Sequence, residues 1–212
     1  IITISGTTTL TSSSSTTFTG NVGGSGSLTL NGGSIIFGGI VSGLTSFSLA
    51  SGSIATWPTS ITAGTLSFSD VNITGSPTLT SSSSTTFTGN VQGSGSLTLN
   101  GGDIVFGGLV SGLASFTLAS GSITTWPSSI NADVLSFSSV SITGSPTLTS
   151  SSSTTFTGNV EGPGSLTLNG GSIVFDGLVG DSVALTNFTL SSGSITTWPS
   201  THYRRNFEFF LC

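Results

Sequence analysis

Charge is the first thing this sequence lacks. Of 212 residues only nine are formally charged, seven Asp or Glu and two Arg, with no Lys and a net charge of −5. A nucleic-acid binder needs Lys and Arg to neutralise phosphates and release counterions, so that class is excluded. Acid–base catalysis is poorly served as well. The acids within the body of the chain, Asp70, Asp103, Asp133, Glu161, Asp176 and Asp181, stand at unrelated positions, and no His, Lys or Arg precedes His202. A carboxylate-based hydrolase needs clustered acids with a base or cation beside them. No enzyme activity, no cofactor and no metal site is expected. The one cysteine, Cys212, excludes an internal disulfide framework and a thiolate metal site. No run reaches the 18 or so apolar residues of a membrane helix; the richest stretch, 35–44, is broken by Gly and Ser. The opening residues IITISGTTTL carry no positively charged leader segment.

What fills the chain instead is 45 Ser, 36 Thr and 31 Gly, and they are arranged periodically. Thr17-Phe18-Thr19-Gly20-Asn21-Val22 recurs at Thr86 and at Thr155, a step of 69. SLTLNGG begins at Ser27, Ser96 and Ser165 with the same step. Trp57-Pro58 returns as Trp126-Pro127 after 69 residues and as Trp198-Pro199 after 72. The three added residues fall within 176–187, which reads as a loop that tolerates length change.

A shorter period lies inside the long one. Leu28, Phe47 and Leu66 are 19 apart, as are Leu30, Leu49 and Phe68, and Ile35, Ile54 and Ile73. Apolar residues at i and i+2 share one face of a strand. Gly at this density would penalise a helix heavily, and no helical stripe is present. Two or three short strands in 19 residues is the size of one coil of a parallel β-helix. The chain is read as one solenoid over 1–200, with long repeats of about 3–71, 72–140 and 141–200 and about ten coils. Its length would be roughly 50 Å at the inter-strand spacing. The long repeat exceeds three coils by twelve residues, located near Ser12–Ser15, Ser81–Ser84 and Ser150–Ser153. Either a Ser-rich excursion or a fourth, short coil would account for them, and spacing does not choose between the two.

The run GSGSLTLNGG, with its Thr-Phe-Thr-Gly-Asn lead-in, resembles the repeats of bacterial autotransporter and filamentous-haemagglutinin-like passenger domains, over roughly 1–200. The resemblance implies a right-handed parallel β-helix, a cell-surface or secreted location, and adhesive or stalk duty towards host or neighbour-cell glycans or proteins.

Several residues stand out against this background. Trp57, Trp126 and Trp198 could form a row of rings stacking on sugars; the simpler reading has each filling a coil corner, with Pro shaping the next turn. Asn31, Asn100 and Asn169 precede Gly-Gly and read as corner residues in a left-handed conformation. The Ser tetrads read as solvated loops. Asn72-Ile73-Thr74 and Asn187-Phe188-Thr189 are N-glycosylation sequons that the other repeats do not share. Thr-x-Thr pairs such as Thr86 and Thr88 invite ice binding, but the matching positions of other coils vary between Ser and Thr. A non-globular reading of the Ser/Thr/Gly text is a further alternative. The tail 201–212 leaves the repeat. It is either a cap that covers the last coil with Phe207, Phe209 and Phe210, or an artificial ending.

Overall fold

The computed structural model describes residues 1–200 and the backbone of 207–209. Among these residues every regular element is a β-strand and every strand pairing is parallel. The chain is a β-solenoid of about ten turns. One column of stacked residues runs Ile2, Val22, Val41, Ile61, Leu79, Leu99, Leu118, Phe137, Phe156 and Phe175, one residue per turn. The alternation seen in the sequence is the cause. In Ser27–Asn31 the side chains of Leu28 and Leu30 are buried while Thr29 between them faces outward.

Inward residues come in short groups, and three groups complete a turn. From Val22 to Val41 these are Val22 itself, Leu28 with Leu30, and Ile35 with Phe37. Between Val22 and Phe87 there are eleven such groups, ending with Leu79 and Ser81, then Thr85 and Phe87. Eleven groups at three per turn make three turns and two thirds, so the 69-residue repeat is not a whole number of turns. Copies of the repeat therefore do not stack on one another. Leu28 stacks with Phe47, Leu66, Thr85 and Ile104, whereas its copy Leu97 stacks with Phe116, Leu135, Thr154 and Ile173. The twelve extra residues are neither an excursion nor a separate short coil. They are two further sides of the regular winding, carried by the ten-residue strands Thr78–Phe87 and Thr147–Phe156.

The core follows the same screw. Eleven phenylalanines from Phe18 to Phe188 form an unbroken chain with ring centroids 5.0 to 6.2 Å apart. Rings stack within a column, as Phe68, Phe87 and Phe106 do, and the chain changes column through tilted pairs such as Phe37–Phe47 and Phe106–Phe116. Each aromatic pair adds about 0.5–1.5 kcal/mol beyond area burial.

Two corners differ from the sequence reading. After Asn31 it is Gly32 and Gly33 that take positive φ, 77° and 69°, and no non-glycine residue among those described does so. Asn31 itself ends a strand in extended backbone. The reason is steric: a Cβ in the left-handed region is costly, and two glycines stand available next door. The Ser tetrads are not loops in the second and third repeats. Ser81 and Ser150 are buried, each accepting a hydrogen bond from a buried threonine, Thr85 at 3.0 Å and Thr154 at 2.9 Å. Each serine in turn donates to a carbonyl of the next turn, Gly101 or Gly170. The bend falls at a register shift between Ser81 and Ser84, where one extra residue turns the strand onto the next side.

In the third repeat the added residues do form a loop. The strand Val110–Leu118 has no full counterpart there. Val179 makes an isolated bridge to Val160, and regular pairing resumes at Asn187–Leu190. The strand Phe207–Phe209 pairs in parallel with Asn187–Leu190; the cap expected from its phenylalanine side chains lies outside the described residues.

Candidate functional site

The outward faces are the surfaces this chain presents, and strand alternation builds them. On one side, seven successive turns place Thr9, Thr29, Ser48, Ser67, Thr86, Val105 and Thr125 in one column. A second column two residues earlier holds Thr7, Ser27, Ser46, Thr65, Ser84, Asp103 and Ser122. Five turns in a row therefore carry two hydroxyls each, separated by about 4.8 Å along the rod and about 6.7 Å along the strand. Asp103 and Val105 interrupt the array at the sixth turn. A comparable column, Thr78, Thr98, Thr117, Ser136 and Thr155, occupies another side farther along.

These hydroxyl rows were invisible as rows in the sequence. Their members come from unlike positions of the long repeat, and only the two-thirds-turn phase aligns them. The positions that looked variable between Ser and Thr are, in space, consistently hydroxylic over those five turns.

The three tryptophans are not brought together. The residues just before them, Thr56, Thr125 and Thr197, pair with Ile36, Val105 and Val174, which belong to three different columns. Trp57 is buried and its ring N–H donates to the Asn72 carbonyl at 2.8 Å. Trp126 is half-buried and donates in the same way to Ser141. Both rings pack on core phenylalanines, Phe68 and Phe137. Trp198 differs, with 53% of its surface exposed. The sequon residues Asn72 and Asn187 are exposed on strands, on different turns.

One set of polar residues had a repeat signal but no role assigned from sequence. Asn21, Asn90 and Asn159, inside the Thr-Gly-Asn-Val motif, each accept the backbone N–H of a residue one turn on: Ile40 at 3.1 Å, Leu109 at 2.8 Å and Leu178 at 3.0 Å. Asp70 accepts from the Asn90 N–H at 2.7 Å. These contacts tie turn to turn at a corner where glycines leave the ladder incomplete. The acids are spread along the rod, and no group of three or more metal-ligating side chains converges among the described residues.

Compared with protein-family models, with curated proteins and with solved structures, the chain shows no match.

Proposed function

We propose that this chain is a structural and adhesive β-solenoid segment of a larger cell-surface or secreted protein, displaying Ser/Thr-rich faces for weak, multivalent contacts. The observation that carries this reading is the run of paired hydroxyls on five successive turns, without a charge among them. A stiff rod fixes such groups at constant spacing, so a partner that meets one row meets several at little further entropic cost. The partners are host or neighbour-cell glycans or proteins. The resemblance to autotransporter and filamentous-haemagglutinin-like passenger repeats belongs to this same proposal, as does the extracellular or cell-surface location. With no Lys or Arg before residue 204, recognition rests on neutral hydrogen bonds and is weakly dependent on salt.

Binding of the chain to an array of neutral glycans tests this directly. Retained binding from low to high salt agrees with hydroxyl contacts, and a steep loss with added salt contradicts them. A second reading, carbohydrate stacking on tryptophan, is favoured by one observation, the half-open ring of Trp198. It predicts that W198A abolishes glycan binding while the β circular-dichroism signal stays unchanged. Ice binding on the same hydroxyl rows would appear as thermal hysteresis.

A further inference from the structure

Asn-Gly is the dipeptide most prone to a self-inflicted reaction. The glycine nitrogen attacks the asparagine side-chain carbonyl carbon, ammonia leaves, and the succinimide formed is opened by water to aspartate or isoaspartate. Glycine favours this because nothing on its Cα hinders the approach. The chain contains this dipeptide three times in its repeats, at Asn31-Gly32, Asn100-Gly101 and Asn169-Gly170.

In all three copies both reacting groups are held by one serine of the following turn. Ser51 donates its hydroxyl to the Asn31 side-chain oxygen at 2.5 Å while its carbonyl accepts the Gly32 N–H at 3.1 Å. Ser192 does the same for Asn169 and Gly170, at 2.6 and 3.1 Å. Ser120 donates to Asn100, and both its carbonyl, at 3.1 Å, and its hydroxyl, at 2.9 Å, receive the Gly101 N–H. Ring closure requires the glycine nitrogen to leave its ladder bond and the asparagine side chain to swing towards it. Neither movement is possible while the next turn stays docked.

We propose that these three junctions are latent deamidation sites, each locked by the serine of the covering turn, so that undocking of a turn is recorded as an irreversible conversion of asparagine to aspartate or isoaspartate. Isoaspartate lengthens the backbone by one carbon and leaves a carboxylate facing the serine that had held the amide, which opposes redocking. The rod would thus convert transient opening into permanent loss of a turn. Asn169 is the most vulnerable, because its lock lies beyond the loop of the third repeat, where the long interior strand is missing.

The test is deamidation followed by peptide mass spectrometry at mildly alkaline pH, on the folded chain and on the same chain unfolded in urea. The folded chain should react at least about tenfold more slowly at all three sites, the effect of two neutral hydrogen bonds that must break together, with Asn169 the fastest of the three. Ser192→Ala, its fold checked by circular dichroism, should accelerate Asn169 and leave Asn31 unchanged. Equal rates in the folded and unfolded chains would overturn the proposal. An unaltered Asn169 rate in folded Ser192→Ala would overturn the assignment of the lock to that serine. If the variant does not fold, the comparison of folded and unfolded wild type still decides.

Discussion

The same eight residues, Leu-Thr-Ser-Ser-Ser-Ser-Thr-Thr, occur at 10–17 and at 79–86, and they fold differently. In the interior of the rod they belong to one strand, Thr78–Phe87, bent once and paired with a turn on either side. In the first turn, with a neighbour on one side alone, the segment splits into Thr7–Thr11 and Ser15–Phe18. Ser12 there bonds within its own turn, to the Ser15 carbonyl, where Ser81 reaches across to Gly101 and receives Thr85. Local sequence therefore does not decide between strand and turn at this position. A second neighbour supplies the partners for buried hydroxyls, and without it the serines turn to each other. This is the behaviour of a one-dimensional stack, in which each unit is completed by those beside it.

The comparison is open to attack by mutation. The largest difference is expected for phenylalanine. Phe87 is fully buried between Phe68 and Phe106, so Phe87→Ala should cost about 3–5 kcal/mol. Phe18 has a single ring neighbour, Phe37, and Phe18→Ala should cost less by at least about 1 kcal/mol, read by urea denaturation. Equal costs would mean that stacking on both sides adds nothing. Next in size is Ser81→Ala, which strands the buried Thr85 hydroxyl and should cost about 1–3 kcal/mol. The matching Ser12→Ala should stay within about 0.5 kcal/mol, as an ordinary surface change. The smallest effect needs no mutation. Amide exchange at 12–16 should be faster than at 81–85 in the native chain, since the first segment frays while the second is paired on both sides.

Much of this architecture was legible in the sequence because apolar alternation and a 19-residue step are direct consequences of stacking strands. Leu28, Phe47 and Leu66 were aligned by counting and are aligned in space. The phase of the long repeat was not legible in the same way. Its twelve surplus residues looked like an appendage, whereas they are two more sides of the winding, and that fraction sends each copy to a new side. The row of tryptophans dissolved for this reason, and the hydroxyl rows emerged for the same reason. The corners were misjudged where two candidates competed: asparagine seemed the left-handed residue, yet the glycines beside it take that conformation. The buried Ser–Thr pairs escaped because serine tetrads look solvated until both neighbouring turns are in place.

The central claim is that equal sequence lies on unequal sides, and distance measurement by electron paramagnetic resonance tests it most directly. In a Cys212→Ser background, one spin-label pair replaces Thr9 and Thr86, which share a column four turns apart, and another replaces Thr17 and Thr86, which are copies 69 residues apart. The column pair should show backbone sites separated by about 19 Å, four inter-strand spacings. The copy pair should lie farther apart, although it spans less of the rod's length. A copy pair closer than the column pair would mean that the repeats stack in register, and would contradict the account.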